Sequence, residues 1–252
     1  MAGTAKKLLL CSCLCLPAYG GFAASGADPT RSEEQRVLEY LRAHPGFLLE
    51  NPDLLERSAA LQRQQAESAG VEGRRQRIRG REASLLASNL TAVRGAPDAA
   101  NTMIEFSDYQ CLPCKKSTPE VEAFLQEHAD VRLIHLQLPV YGSQSIMAAR
   151  AALIANRSGK FEPYHAAMMQ APVPVDMQTI ERALSLAGVS ARTFSVESID
   201  PELSGYLDEV RAFATELGTV GTPTFILNGR IIHGGVTRET LRAALATSAA
   251  PE

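Results

Sequence analysis

The sequence contains no Trp, and only 6% of its 252 residues are aromatic. A broad aromatic platform for ligand binding is therefore not expected. The formal net charge is only −3. A chain with so mild a charge gives no reason to expect a nucleic-acid partner, because binding to phosphate backbones depends on clustered positive charge. The length suits one good hydrophobic core with additional elements, or two modest domains.

Long apolar runs are also lacking. The strongest candidate, residues 8–16, is too short to span a bilayer comfortably, which argues against a retained membrane anchor. It follows two lysines and precedes a helix-breaking Pro-Gly region and several small residues. This arrangement predicts that residues 1–27 are a cleaved secretory signal, with the cut after Ala27 or after Ala23.

Cysteines are few. Of the five, Cys11, Cys13 and Cys15 lie inside the predicted signal, so the mature chain keeps only Cys111 and Cys114. A secreted protein with one closely spaced pair is not a disulfide-stapled scaffold, so the pair is expected to react. A zinc site would need two more Cys or His ligands at suitable spacing, and no second pair exists. A structural disulfide is the remaining alternative.

The pair forms a Cys-Leu-Pro-Cys motif at residues 111–114, between an apolar run at 103–106 and a helix-like run at 115–129. Two thiols are thus predicted where a strand leads into a helix. The unpaired N–H groups at a helix N-terminus favour a thiolate over a thiol, and the two lysines that follow add positive charge. We expect Cys111 to be the exposed nucleophile and Cys114, one turn deeper, to be the resolving thiol.

The chain before this motif, residues 28–94, differs in character. Thr30 and Glu33 fit a capping box, a His44-Pro45 step ends a first helix, and Pro52 begins another. These short amphipathic helices hold too little apolar mass to form a core alone. They pack either on the main domain or on copies of themselves, and we favour self-association.

The stretch at residues 62–81 separates these helices from the rest. It contains three glycines, which weaken a helix, and six arginines, five of them within residues 74–81. One interpretation is a hinge with a basic face, and the other is a solvated, frayed helix. The sequence therefore predicts an N-terminal helical oligomerisation segment with a hinge over residues 28–94.

From residue 97 onward the pattern predicts an α/β fold. It contains two strands joined by a helix, a long helical section, a hairpin with an Asn-Gly turn, and a last helix. The predicted elements are strands at 101–107 and 131–140, helices at 115–129, 143–156, 161–169, 177–187 and 201–218, hairpin strands at 222–227 and 230–233, and a helix at 238–246.

The Cys-x-x-Cys after a strand and the Thr222-Pro223 pair that opens the penultimate strand resemble the thioredoxin fold. Pro119, five residues after the second cysteine, is placed as in thioredoxins. Residues 143–218 resemble the helical insert of the DsbA-like branch. The resemblance implies a thioredoxin fold with an inserted helical domain over residues 95–248, preceded by the N-terminal oligomerisation segment.

A second resemblance lies in the N-terminal segment. Its Tyr-Leu-Arg-Ala-His-Pro motif at residues 40–45, with the Leu/Gln-rich helix after it, is similar to the ScsC-type branch (suppressor of copper sensitivity, protein C). In that branch this segment is associated with oligomers, often trimers, and with disulfide isomerase activity.

The resemblance also implies roles for single residues. Pro223 is expected to follow a cis peptide bond, which places the Thr222 backbone beside the cysteines, where it can pair with an extended substrate peptide. Leu112 and Pro113 complete the predicted substrate-binding surface. Glu105 matches a buried acid that exchanges a proton near the resolving cysteine, where burial would raise its pKa. The alternative for Glu105 is a surface residue of an edge strand.

One departure from the family pattern concerns the oxidising strength of the pair. DsbA-like proteins often carry His or Tyr at the second position between the cysteines, where this chain has Pro113. Proline brings neither an N–H nor a side-chain donor to the Cys111 thiolate, so the pair is expected to be less oxidising than that of DsbA.

The resemblance implies a periplasmic thiol–disulfide oxidoreductase without a cofactor, and we favour a protein disulfide isomerase or reductase. Its substrates would be unfolded or misoxidised secreted proteins. A ScsB- or DsbD-like membrane protein would keep it reduced. The alternatives are a DsbA-like oxidase with a DsbB-like partner, a periplasmic chaperone, and a copper-binding protein, since two thiols can hold Cu(I). The nearby methionines fit helix cores better than a metal site, and His135 and His233 are unremarkable as ligands.

Overall fold

The computed structural model describes residues 32–219 and 221–248. The predicted signal segment, Thr30 and Val220 lie outside the described residues. The chain divides into two compact units, Met1–Ala60 and Leu61–Glu252. No helix within the described ranges is both long and apolar enough to cross a membrane.

The first unit contains short helices with exposed apolar side chains. Helix α1 (Glu33–Ala43) is capped reciprocally by Ser32 and Gln35, so the capping box predicted at Thr30 and Glu33 is wrong by two residues. It ends before His44, as predicted, and the four-residue α2 (Phe47–Glu50) follows. None of the residues of these two helices, all of them described, is buried. The exposed large apolar side chains of the described part of this unit are Val37, Leu38, Tyr40, Leu49, Leu54 and Leu55.

Helix α3 (Pro52–Ala87) is continuous through residues 62–81, the stretch for which the sequence offered a hinge or a frayed helix. In the second unit its side chains Val71 and Ile78 are buried, and Arg74 and Arg75 donate hydrogen bonds to backbone carbonyls of the hairpin turn. Packing of this kind contributes more to helix stability than intrinsic propensity, which explains why the glycines of this stretch do not break the helix.

The second unit is built on a five-stranded mixed sheet in the order β1-β3-β2-β4-β5. Strands β2 and β3 are parallel, and the other neighbours are antiparallel. The strands are β1 (Ala92–Arg94), β2 (Asn101–Ser107), β3 (Val131–Gln137), β4 (Thr224–Leu227) and β5 (Arg230–His233). The β2 bounds match the prediction, whereas β3 is three residues shorter than predicted.

Seven helices of this unit follow β2, and five of them lie between β3 and β4. They are α4 (Leu112–Glu127), α5 (Ser143–Arg157), α6 (Phe161–Gln170), α7 (Met177–Leu186), α8 (Ala191–Glu197), α9 (Pro201–Glu216) and α10 (Arg238–Ser248). Alternate residues of β2 serve two apolar clusters. Met103 packs in the cluster with residues of α4 and α10, whereas Ile104 and Phe106 pack in the larger cluster with residues of α5 and α9.

Strand β1 corrects the predicted start of this domain. The sequence predicts that the domain begins at residue 95. Instead α3 ends at Ala87, and residues 92–94 pair antiparallel with β3. The thioredoxin-like sheet therefore takes its edge strand from residues assigned by sequence to the N-terminal segment.

The turn between β4 and β5 depends on Gly229, which leads to a testable prediction. Gly229 has a φ of +84°, and a Cβ there would lie 2.6 Å from Arg75 Cγ and 2.7 Å from the Val71 carbonyl oxygen. Gly229→Ala should therefore reduce the free energy of unfolding by about 3 kcal/mol, from backbone strain and from displacement of α3.

The matched control is Gly188→Ala. Gly188 also has a positive φ, +79°, but a Cβ there would meet nothing within 4 Å. Only the backbone strain remains, so Gly188→Ala should reduce the free energy of unfolding by about 1 kcal/mol. Chemical denaturation measures both variants, and equal losses would contradict the close contact between α3 and the turn.

Candidate active site

The two cysteines lie at the N-terminus of α4. Cys111 is the N-cap residue, and its Sγ accepts the Cys114 N–H at 3.1 Å. The two sulfurs form a disulfide with a Cα–Cα distance of 5.2 Å. After reduction, a Cys111 thiolate at this position would be stabilised by that N–H and by the positive end of the helix dipole.

The expectation that Cys111 is exposed is wrong. Only 1% of Cys111 is accessible, and Cys114 is fully buried. Both residues belong to the larger apolar cluster, together with Tyr109 and Phe106. The exposed part of the motif is the middle: Leu112 is 48% exposed, and Pro113 is also exposed.

Asp108 holds the turn that precedes the pair. Its carboxylate accepts hydrogen bonds from the N–H groups of Gln110 and Val140 and from the Ser145 hydroxyl, each at 2.8 Å. Its carbonyl accepts the Cys111 N–H at 3.0 Å. This buried carboxylate thus joins the cysteine turn to the loop after β3.

The Thr222–Pro223 peptide bond is cis, as expected from the resemblance. The Pro223 carbonyl accepts the N–H of Gly234 at 3.0 Å. The next residue, Gly235, lies against the cysteine motif, because a Cβ there would be 3.9 Å from Pro113 Cβ. The segment after β5 therefore connects the cis-proline loop to the cysteine motif.

Sheet register places the loop and the cysteines at one end of the molecule. Thr224, the first residue of β4, is paired with Phe106 near the C-terminal end of β2. The cysteine turn follows β2 directly. The structure therefore brings Cys111, Pro113 and Pro223 to the same end of the sheet, as the sequence predicted.

Lys115 contributes charge in a direction that the sequence did not show. Its ammonium group donates a hydrogen bond to the Met168 carbonyl near the C-terminus of α6. Burial lowers the pKa of Lys115 to about 8, and the negative charge of Asp108 opposes this change. Near neutral pH most Lys115 side chains therefore stay protonated. Their positive charge is held by a carbonyl group near the end of α6.

Glu105 is buried in the interior of the sheet. It lies on β2, which has β3 on one side and β4 on the other, and only 2% of the residue is accessible. The alternative of an edge-strand surface residue is therefore excluded. The ring of His135 on β3 lies beside it, with Nδ1 3.2 Å from Glu105 Oε2.

Sequence reasoning missed the side chains around Glu105. His135 is unremarkable in the sequence and no motif marks His165, yet both are buried near this carboxyl group, with ring centroids 4.8 Å apart. The signal was the register of two parallel strands, which pairs Glu105 with His135. That register becomes visible only once the sheet is known.

Two further features concern ligands. Among the described residues there is no group of three or more His, Cys, Asp or Glu side chains that could hold a metal ion. A groove of about 910 Å³ lies between α4 and α6, and its walls include Lys115, Pro119, Glu122, Glu162, His165 and Met169.

Comparison with known proteins identifies relatives of the second unit. A family model described as thioredoxin matches residues 88–247, well over half of the chain. The crystal structure of a thioredoxin-like oxidoreductase from Silicibacter pomeroyi is 30% identical, with a TM-score of 0.62, and the match covers 66% of this chain and 95% of that one.

A second solved structure covers more of the chain. Proteus mirabilis ScsC in a compact conformation is 26% identical, with a TM-score of 0.57, over 81% of this chain and the whole of that one. Among curated proteins, a Na(+)/H(+) antiporter NhaA 3 from Salinispora tropica is 30% identical over 156 residues, which is 61% of this chain. The match spans about a quarter of that antiporter's length.

Proposed function

Because this chain belongs to the thioredoxin family, as a thiol–disulfide oxidoreductase of the DsbA-like and ScsC-like type, we propose that it is a periplasmic protein disulfide isomerase or reductase. The observation that carries the proposal is the Cys111–Cys114 pair at the N-terminus of α4, beside a cis-proline loop. This arrangement supplies a thiolate, a second thiol within bonding distance and a peptide-binding edge.

The reaction begins with the reduced pair. The Cys111 thiolate attacks one sulfur of a substrate disulfide, forms a mixed disulfide and releases the other substrate sulfur as a thiolate. In isomerisation a second substrate thiolate attacks the mixed disulfide, and Cys111 leaves as a thiolate. In reduction Cys114 loses its proton and attacks Cys111, so the pair is oxidised and the substrate dithiol is released.

The residues between the cysteines favour isomerisation or reduction over oxidation. Pro113 has no N–H, and neither it nor Leu112 has a side-chain donor for the Cys111 thiolate. A thiolate with less stabilisation makes the reduced form less favoured and the pair less oxidising. A DsbA-like oxidase is the alternative, and it would require a thiolate as strongly stabilised as that of DsbA.

The substrate-binding proposal rests on backbone and apolar surface. The backbone of Thr222 can add an extended peptide by strand pairing. Exposed apolar side chains lie on both sides of the cysteine turn: Leu112 in the motif, and Val140 and Tyr141 in the loop tied to Asp108. Such a surface suits unfolded or misoxidised proteins, which expose apolar segments.

The N-terminal helices are proposed to assemble the working oligomer, a trimer like those associated with the ScsC-type branch. Their exposed apolar side chains, among them Leu38, Leu49 and Leu55, support this assignment. Helices α5–α9, between β3 and β4, are assigned as the helical insert of the DsbA-like branch.

The proposed partners follow from the redox direction. An isomerase must be kept reduced, so a ScsB- or DsbD-like membrane protein would supply electrons through its own dithiol. The predicted signal at residues 1–27 supports secretion to the periplasm. If the protein were an oxidase, a DsbB-like membrane protein would reoxidise it.

The test is a pair of assays with the full mature chain. We expect the reduced protein to restore activity to scrambled, fully oxidised ribonuclease. We expect the oxidised protein to introduce disulfides into reduced ribonuclease only slowly. Fast oxidation of reduced ribonuclease, with no recovery of the scrambled form, would overturn the isomerase proposal in favour of the oxidase.

A further inference from the structure

Five polar side chains form a buried cluster around Glu105. The other members are Tyr109, His135, Gln137 and His165, and none is more than 3% accessible. The members are linked in a chain of contacts that runs from Glu105 to His135, then to His165 and Tyr109, and finally to Gln137. The thiol–disulfide exchange described above uses at most one of them. So large a polar cluster is costly inside an apolar core, which points to a use.

His135 is the least satisfied member of the cluster. Neither of its ring nitrogens has a hydrogen-bond partner among the described residues, although Nδ1 lies 3.2 Å from Glu105 Oε2. Two unpaired buried nitrogens destabilise the fold by about 1–3 kcal/mol each. Nδ1 already lies within hydrogen-bond distance of the carboxylate oxygen, so reorientation of the ring is enough to direct it there. The ring is therefore placed to exchange a proton with Glu105 without being locked by other bonds.

His165 connects this pair to the outside. Its ring centroid is 4.8 Å from that of His135, and its Nδ1 lies 3.1 Å from the Tyr109 hydroxyl. His165 also lines the groove of about 910 Å³ between α4 and α6. The two imidazoles thus bridge the distance between a carboxyl group in the centre of the sheet and an open surface.

Charged groups around the cluster keep His165 neutral. Burial, and then the positive charges of His135, Arg94 and Lys115, hold the pKa of His165 well below its usual value. Burial raises the pKa of Tyr109 well above its usual value, with Glu105 and Glu162 contributing, so its hydroxyl does not ionise near neutral pH. A neutral imidazole has one donor and one acceptor nitrogen, so it can receive a proton on one side while releasing one on the other.

We propose that His135 and His165 carry protons between the buried Glu105 carboxyl group and the groove between α4 and α6 during thiol–disulfide exchange. The proposal rests on the proposed function, and on the role that the family resemblance implies for Glu105, the exchange of a proton with Cys114. It assigns proton-transfer roles to two histidines, and it makes the groove the point at which the proton reaches solvent.

The step is easiest to follow during reduction of the pair by dithiothreitol. A dithiothreitol thiolate attacks Cys111, the Cys111–Cys114 bond breaks, and Cys114 leaves with the electron pair. The Cys114 thiolate takes a proton from Glu105, which regains one from His135. His165 supplies His135 and is itself reprotonated from the groove. When the pair is oxidised, the same transfers run in reverse, and the proton moves from Cys114 outward to the groove.

The first test is chemical rescue of His165→Ala. This variant should slow reduction of the Cys111–Cys114 disulfide by about 10²-fold, a typical contribution of a proton-transfer group. Because the deleted ring borders the groove, added imidazole can enter the space and should restore most of the rate. Pyrazole has a similar shape but is a far weaker base with adjacent nitrogens, so it should not. Quenched-flow thiol labelling follows the reaction.

The second test separates proton transfer from structure. His135→Phe preserves an aromatic ring beside Phe161 and removes both unpaired nitrogens, so it should fold at least as stably as the wild type. It should slow disulfide reduction by about 10²-fold and change its pH dependence. In a Cys114→Ser background, where no proton passes to residue 114, it should leave the reaction of Cys111 with glutathione disulfide unchanged. His128→Phe, at the other end of α4, is the matched control and should have the wild-type rate.

The outcomes distinguish the two proposals. The proton route would be overturned if the wild type is active and His135→Phe reduces its disulfide at the wild-type rate. It would also be overturned if imidazole does not restore the rate of His165→Ala. In both cases the proposed function would stand. Equal slowing of the Cys111 reaction in the Cys114→Ser background would also overturn it, because the histidine would then be only structural. A wild-type protein without exchange activity would overturn both.

Discussion

Cys111→Ser is expected to abolish both isomerisation and reduction, leaving no activity above the uncatalysed reaction. Cys111 is the residue whose sulfur receives the Cys114 N–H at the start of α4, so it is the thiol that the helix N-terminus activates. A serine hydroxyl at this position does not ionise near neutral pH and cannot form a mixed disulfide. Cys114 lies one turn further into the helix, away from this N-cap position, so it lacks the activation and cannot replace Cys111.

The matched variant is Cys114→Ser, which should have the opposite phenotype. Cys111 remains able to attack, but reduction can no longer be completed by the second thiol. Mixed disulfides with substrate should therefore accumulate and be visible as adducts on a non-reducing gel, while some isomerisation persists.

These variants also separate the classes of function. A Cys111→Ser protein that retained wild-type activity on scrambled ribonuclease would contradict the assignment of the nucleophile. Recovery of substrate by a chain that lacks both cysteines would favour a chaperone, in which the disulfide only closes a turn.

Loss of the oligomer is expected to have the second largest effect. Leu38 and Leu49 lie on α1 and α2 and are strongly exposed, with Leu49 79% accessible. Replacing both with Lys should disrupt association without disturbing the second unit. Isomerisation should fall by about 10-fold or more, because several active sites on one particle raise the effective concentration of thiolate around a bound substrate. Reduction by dithiothreitol, which needs one site, should not change.

The control must match the change in charge. Replacing Glu34 and Glu50 with Gln on the same two helices also raises the net charge by two units, but removes no apolar surface. Light scattering gives the mass of each protein, and the ribonuclease assay gives its activity. A wild-type protein that is monomeric and still an efficient isomerase would contradict the role given to the N-terminal helices.

A test of this role by truncation must respect the structure. Sequence alone suggests a chain that starts near residue 95, at a Gly-Ala-Pro step. Such a chain would lack β1 and the buried residues Ile78, Leu90 and Ala92. Its loss of activity would then reflect damage to the sheet as well as loss of the oligomer, which is why substitutions are preferable.

Elements with a strong local pattern were predictable. Strand β2 contains Met103, Ile104 and Phe106 in a short, mostly apolar segment, and the Asn228-Gly229 turn specifies the hairpin of β4 and β5. Strand β1 was not predictable, because it has three residues and is held by pairing with β3, which follows almost forty positions later. The continuity of α3 was not predictable for a related reason: the glycines lower helix propensity, but docking of Val71 and Ile78 compensates for it.

The active site shows the same division. The motif located the cysteines and the cis-proline, because both are properties of short sequence segments. Burial of Cys111 and the pairing of Glu105 with His135 depend on which elements cover the site and on strand register. Neither quantity is present in a single stretch of the chain.

The order of strands has a consequence for how the protein is made. Strand β2 ends beside the cysteines, but its neighbour β4 follows about 120 positions later. Phe106 can therefore pair with Thr224 only after that part of the chain has been made. Contacts at such separation form late, because closing a long loop costs entropy before the contacts compensate. While the chain is emerging, both thiols are therefore unprotected by their final surroundings and open to mispairing. A nascent chain of this protein is itself a substrate for the chemistry that it later performs.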